Sequence, residues 1–365
     1  MLPLAVATVS LAAVAGTAAN ASVAPATNGS LGPSQARMIP TRLLSRATAL
    51  AALALTLSIS ALPVRAAAPA VGTPAPGFQR MILGDFEITA LSDGSFSLPA
   101  NQLLKNATPA RIDATLGKVF IKDPVPTSVN AYLVNTGTKL VLIDTGSGNL
   151  FGPTLGKLAD NLAAAGYKPE QIDEIYLTHL HPDHVGGLTT PDGIAVFPNA
   201  IVRTDKRESD FWLSEAIAAK APKDAQASFA GARKSMAPYV ASGHFKPFTG
   251  ASNALVPGVS EISTIGHTPG HSTYIVSSKG QRMVIWGDLV HVAALQFPDP
   301  DIAIAYDSDN KAAIAQRKHA FADAAAHGDW VAAAHMSFPG IGHVVKSGTG
   351  YMWIPANYAP VINGK

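Results

Sequence analysis

The chain has 365 residues, 47% hydrophobic and 14% charged, which suits a globular protein with a large core. Its formal charge of +2 owes much to Arg37, Arg42, Arg46 and Arg65, which share the first 66 residues with no acid; setting those four aside leaves 23 basic against 25 acidic residues. A body so close to neutral lacks the basic footprint that nucleic-acid binding needs, and the absence of cysteine excludes disulfides, thiolate ligands and a cysteine nucleophile together.

Residues 1–37 are rich in Ala, Ser and Gly and show no periodic pattern. Met38 then opens a pattern of export. Arg42 and Arg46 form a basic region, Ala47 to Leu62 is an apolar run, and small residues near 64–68 offer a cleavage site. The run is too short for a comfortable membrane span, so a signal peptide is expected over an uncleaved anchor, with either Met38 as the start of translation or an unusually long basic region before the run. We expect residues 1–66 to be extension and signal, 67–77 a flexible leader, and 78–365 a single domain that is exported to the periplasm or secreted, with no stable membrane span after processing.

From Met81 the pattern becomes regular. MILGDFEITALSDG (81–94) alternates apolar and polar residues and reads as an antiparallel strand. VNAYLVN and KLVLID read as two strands about a Thr-Gly turn, closed by Asp144-Thr145-Gly146. Leu155, Leu158, Leu162 and Ala165 recur at helical spacing over 153–166, and Gly166 is a natural cap. QIDEIYLT (171–178) is a short buried strand. Residues 205–240 are Ala-rich and helical, an insertion carrying Phe211, Trp212, Leu213, Ile217 and Phe229. STYIVSSKGQRMVIWGD (272–288) repeats the outline of 131–146: an aromatic-led strand, a Gly turn, then an aliphatic strand ending in Asp. Residues 310–327 read as helix, and WVAAAHMSF (330–338) as a last strand ending near His335.

The chemistry concentrates in LTHLHPDHVGGL (177–188). In extended chain His179 and His181 point to one side, so two imidazoles can share a metal. Pro182 turns the chain, and Asp183 and His184 can then serve a second point nearby. Four donors in six residues exceed what one metal needs; two neighbouring metals would use them. Further donors follow strands: His267 and His271 in GHTPGH, Asp288 in WGDLVH and His335 in AAHMSF. All are nitrogen or oxygen donors, which suits zinc and also manganese, cobalt or iron. A water bridging two such ions loses a proton near neutral pH and becomes a nucleophile. Asp183 is a candidate for both a ligand and a proton acceptor. No GxSxG elbow is present.

His179-x-His181-x-Asp183-His184, with His267, Asp288, His335 and the upstream Asp144-Thr145-Gly146, resembles the metallo-β-lactamase superfamily over nearly all of residues 80–345. Within it the chain looks most like the branch of methyl parathion hydrolase and related phosphotriesterase and lactonase metallo-hydrolases. MILGDFEITALSDG, LFGPTLG, DFWLS, GHTPGHSTY and AAHMSFPGIGH carry that likeness. The resemblance implies an α/β fold: a four-layer αβ/βα sandwich, two facing β-sheets with helices on the outer faces. It implies that His179, His181 and His267 hold one ion, that Asp183, His184 and His335 hold the other, and that Asp288 bridges them. It also implies a small neutral ester, phosphotriester or lactone substrate, and a homodimer.

Other residues are weighed beside these. His271 competes with His267 and His343 with His335; the family pattern selects His267 and His335 as ligands. Asp144 is expected to orient a ligating histidine. Phe151, Trp212 and Phe229 match aromatic pocket residues of the resembled hydrolase, against the plain alternative of core packing. His291 and Tyr306 depart from its pattern, which is aliphatic at both places, while the lactonases carry a tyrosine at the first. As polar donors His291 and Tyr306 would hydrogen-bond a substrate carbonyl or a leaving alkoxide; surface positions are the alternative. Phosphotriester cleavage is the first expectation and lactone hydrolysis, including the acyl-homoserine type, the second. An iron-dependent oxygenase on the same fold, or a binding protein that kept it, are remoter readings.

Overall fold

The computed structural model of the protein describes residues 68–250 and 255–359. The expected extension and signal segment (1–66) lies outside the described residues. Residues 68–76 hold no helix or strand, and a compact unit begins at Pro74. No helix among the described residues is long and apolar enough to cross a membrane.

The first sheet has six strands in the order β1-β2-β3-β4-β5-β6: β1 (Phe78–Leu83), β2 (Phe86–Leu98), β3 (Val125–Asn135), β4 (Leu140–Ile143), β5 (Glu174–Tyr176) and β6 (Ile201–Arg203). The first three pairings are antiparallel, and β4-β5 and β5-β6 are parallel. The second sheet also has six, in the order β12-β11-β10-β9-β8-β7. These are β7 (Val259–Ser263), β8 (Ser272–Ser278), β9 (Gln281–Ile285), β10 (Trp330–Ala332), β11 (Ile341–Ser347) and β12 (Gly350–Pro355).

Strand alternation builds the layers. Tyr132, Val134, Val141, Ile143 and Tyr176 of the first sheet meet Tyr274, Val276, Met283, Ile285 and Ala332 of the second in one buried core. Their chain neighbours Leu133, Leu142 and Ile175 point the other way. They pack against helices α2 (Leu158–Ala164) and α6 (Gln226–Ala241). Val284, Val331 and Val344 likewise turn outward, to Phe321 and Ala324 of α7 (Asn310–His327). The result is helix, sheet, sheet, helix, the expected αβ/βα sandwich. A further helix, α1 (Pro109–Gly117), closes one end over a smaller apolar cluster.

Several elements differ from the sequence expectation. MILGDFEITALSDG is a hairpin, because Gly84 takes φ +63° and turns the chain between β1 and β2. Helix α2 starts only at Leu158, since Gly152 and Gly156 both take positive φ and break the preceding segment. The strand expected over 330–338 is β10 and stops at Ala332, so His335 stands in the loop beyond it, and two further strands follow. The insertion comprises α4 (Lys206–Trp212), α5 (Glu215–Ala218) and α6. The self-similar halves are real: β3-β4 and β8-β9 are antiparallel hairpins, each followed by a parallel neighbour and each ending just before an aspartate, Asp144 or Asp288.

Candidate metal centre

The functional side chains lie beyond the ends of the parallel strands. The β4 loop supplies Asp144, the β5 loop His179 and His181, and the β9 and β10 loops Asp288 and His335. His267 and His271 come from the turn joining β7 to β8. Pro182 opens a single helical turn, α3 (Pro182–Val185), that carries Asp183 and His184. Asp144 takes a left-handed backbone, φ +60°, which aspartate tolerates better than most residues. Its carboxylate accepts the Thr178 N–H and hydroxyl, both at 2.8 Å, so the β4 and β5 loops are tied together.

Gly186 and Gly187 explain the end of the motif. A side chain on Gly186 would strike the Ser147 carbonyl, and one on Gly187 the Thr145 carbonyl. Gly187→Ala should therefore destabilise the metal-free protein by roughly 1–3 kcal/mol, the usual cost of overpacking, and a thermal melt would show it. An unchanged melting point would mean that the two loops need no such close approach.

Two groups of donors converge. In the first, His181 Nδ1 lies 3.0 Å from both His179 Nε2 and His267 Nε2. Asp288 Oδ2 is 3.3 Å from His267 Nε2 and 3.7 Å from His179 Nε2. In the second, Asp183 Oδ2 is 3.4 Å from His335 Nε2 and 3.8 Å from His184 Nε2. Asp288 reaches this group too, Oδ1 at 3.1 Å from His184 Nε2 and Oδ2 at 3.1 Å from His335 Nε2. Metal–nitrogen bonds of about 2.0–2.1 Å in a tetrahedron put ligands roughly 3.3–3.4 Å apart. The observed edges bracket that figure. His184 Nε2 and Asp288 Oδ1 are moreover buried without a hydrogen-bond partner, which is costly unless something else binds them. Donor type, spacing and orphaned atoms all fit divalent ions in both groups, with Asp288 between them.

The outer nitrogens are held. His184 Nδ1 donates to Asp144 Oδ2 and His267 Nδ1 to Asp307 Oδ1, each at 2.8 Å. His335 Nδ1 donates to the Ser128 carbonyl at 2.9 Å. These bonds set each tautomer so that Nε2 faces inward. His271 uses Nδ1 on Thr264 and Nε2 to accept the Asp288 N–H, so it supports the Asp288 loop and does not join the cluster. His343 lies on β11, bonded to the Asp329 carbonyl and packed on Trp330. His291 also joins Asp288 and His335 in a possible donor set, and a separate grouping, Asp323, His327 and Asp329, has both carboxylates paired with Arg282.

Charge in the metal-free centre follows from burial against Asp288. Burial, with the neighbouring histidines, holds His179 and His181 well below the ordinary imidazole value. Burial also opposes charge on His184 and His267, but Asp288 with Asp144 or Asp307 outweighs it; His184 rises well above and His267 to about 9. His335 is raised in the same way, by Asp288 against burial. Asp288 stays well below the carboxylate range despite burial, because His184 and His335 surround it.

An apolar cavity of about 100 Å³ opens onto the centre, with Asp183, Asp288, His181 and His335 at its base. Phe96, Phe151, Trp212, His291 and Tyr306 wall it, and none of its lining residues is Lys or Arg. Phe229 is a correction: it is 2% exposed, absent from the wall and packed behind Trp212 at a ring distance of 4.6 Å. The helix turns its face to the core there. His291 and Tyr306 are not at the surface. His291 Nε2 donates to Asp288 Oδ2 at 3.1 Å, and burial lowers its pKa to about 4, so its buried, unpartnered Nδ1 is an acceptor. The expected donor role therefore passes to Tyr306, whose phenol is pushed up to about 12 by burial and Asp183 and stays protonated.

Sequence reasoning missed Phe96 in the wall, Asp307 behind His267, Glu208 beneath Leu180 and Gly270, and Asp93, whose carboxylate accepts the Ser147 and Gly156 N–H groups in the loop after Asp144. Phe96 sits in a strand whose alternation offered a signal: it falls on the same face as Gly94 and Leu98. The three acids act on partners dozens of residues away and leave no local pattern.

The profile of the metallo-β-lactamase superfamily matches residues 124–335, and the chain belongs to that superfamily. It is 41% identical to a hydrolase, AbOPH, of the β-lactamase superfamily, over 79% of this chain and all of that one, with a TM-score of 0.74. It is 28% identical to AidC, a dizinc quorum-quenching lactonase, over 78% of this chain and 98% of that one, with a TM-score of 0.73. An N-acyl homoserine lactonase of Bacillus cereus is 27% identical over 42% of this chain and 60% of its own length. The chain spans between 20% and 60% of the length of the curated relatives it matches.

Proposed function

We propose that the protein is a dinuclear metallo-hydrolase that opens neutral lactones and cleaves related neutral esters, phosphotriesters included. The observation that carries this is the cavity: aromatic walls with no Lys or Arg, and a floor made of both donor groups. A carboxylate-bearing substrate such as a β-lactam would find no Lys or Arg in the wall to pair with, whereas a neutral acyl lactone or aryl ester fits. His179, His181 and His267 would hold one ion, Asp183, His184 and His335 the other, and Asp288 both. Two divalent ions, zinc best suited to these donors, supply Lewis acidity and an activated water when bound.

The chain's own groups do the rest. Asp183 and Asp288 are the carboxylates nearest the reacting centre, and Asp183 is placed to take up a proton. Tyr306 can donate to the substrate oxygen that gains negative charge. His291, in the cavity wall, holds the Asp288 carboxylate through Nε2. Phe96, Phe151 and Trp212 shed water from the acyl chain or aryl group. Lactone opening stands first because of these two polar wall groups and the likeness to lactonases. Phosphotriester cleavage, suggested by resemblance to methyl parathion hydrolase, stands second, favoured by the aromatic wall.

The test is a panel of an N-acyl homoserine lactone, an aryl phosphotriester and a β-lactam on zinc-loaded enzyme. Turnover of the first, or of the first two, is expected. Activity on none, or on the β-lactam alone, would overturn the reading. Tyr306→Phe should lower kcat on the lactone by roughly 100-fold, the usual loss for one oxyanion donor, with KM little changed. An unchanged kcat would remove Tyr306 from the reaction.

A further inference from the structure

We propose that Glu208 is a positioning residue for one of the two ion sites only, the site of His179, His181 and His267. This rests on the metal reading above. Glu208 is fully buried on α4, and its two carboxylate oxygens divide between two loops. Oε1 accepts the Leu180 N–H at 2.9 Å, and Leu180 is the residue between His179 and His181. Oε2 accepts the Gly270 N–H at 2.8 Å, in the turn that carries His267 and His271. One carboxylate thus fixes the spacing of the two segments that deliver all three histidines of that site. Nothing comparable links Glu208 to Asp183, His184 or His335.

Two further observations support a clamp in place of general packing. Gly270 lies so close to α4 that a Cβ there would strike the Glu208 N–H and Cβ, so the turn is seated directly on the helix. Four residues on, one helical turn along, the same helix carries Trp212, whose ring stands 5.1 Å from that of His181 and lines the cavity. The helix therefore sets the histidine site and a cavity wall from one face. A buried carboxylate is expensive unless satisfied, and burial raises the pKa of Glu208 above the ordinary value. The two N–H bonds offset part of that cost, with Thr268 and His267 also favouring the carboxylate.

The experiment uses full-length protein loaded with Co(II), with affinity read by chelator competition and d–d absorption. Two backgrounds isolate the sites: His335→Ala weakens one and leaves the three-histidine site, and His267→Ala does the reverse. Glu208→Gln keeps the shape but sets an amide N–H₂ against one of the two backbone N–H donors. In the His335→Ala background it should weaken Co(II) binding about 10- to 100-fold, the usual effect of losing an outer partner. In the His267→Ala background the change should stay within about twofold. Gly270→Ala, which lifts the turn off the helix from the other side, should show the same asymmetry. Equal weakening in both backgrounds, or none in either, would overturn the proposal. Failure of the unaltered protein to bind Co(II) at all would instead overturn the metal reading on which it rests.

Discussion

Replacing Asp288 by alanine is expected to abolish hydrolysis, with a loss of at least about 10³-fold in kcat/KM, and to leave the protein unable to retain two ions through purification. The Asp288 carboxylate lies between the two donor groups, within 3.7 Å of His179, His184, His267 and His335. Metal-assisted stabilisation of transition-state charge amounts to several kcal/mol, and each 1.36 kcal/mol is about tenfold in rate. Asp288→Asn separates charge from size. It keeps the volume and one acceptor but cannot offset two cations, so it should fall near the alanine variant. Activity within tenfold of the parent in either variant would mean that Asp288 does not join the sites.

Removing the ions should lower the melting temperature by roughly 10 °C, because ligands that bind only the folded state stabilise by mass action, about 4 kcal/mol at a thousandfold excess over Kd, and a domain of this size moves about 2–4 °C per kcal/mol. The gap should widen as pH rises from about 6.5 to 9. The sign follows from the raised histidines. His267, His184 and His335 sit above their unfolded value in the metal-free protein, so their charge stabilises the fold fully below about pH 6.5, and that stabilisation fades as pH rises through about 9 for His267. Bound ions need neutral histidines, so affinity grows over the same window. Scanning calorimetry at pH 6.5, 7.5 and 8.5, with and without chelator, reads both trends. A gap that narrows with pH would contradict the assignment of these histidines as ligands.

Much of the centre was legible because its donors follow strands closely in sequence. HLHPDH needs only an extended segment and a proline turn to divide its donors, and His179 and His181 fall in one donor group, Asp183 and His184 in the other, on either side of Pro182. The wall was less legible. Phe229 and Trp212 share one apolar stretch, yet only Trp212 faces the cavity, because helix orientation against the first sheet decides which aromatic is lining and which is core. His291 was read as a donor, and its bond to Asp288 makes the free nitrogen an acceptor. Contacts such as Asp307 to His267 and Glu208 to Gly270 span 40 and 62 residues; only the assembled fold brings them together. The C-terminal hairpin β11-β12, on which His343 lies, carries no pattern that the sequence reading picked up.

A crystal structure of zinc-loaded protein with anomalous differences measured at the zinc edge tests the central claim most directly. Two peaks are expected, one among His179, His181 and His267 and one among Asp183, His184 and His335, with Asp288 touching both. A single peak, or peaks away from these residues, would contradict the two-ion centre.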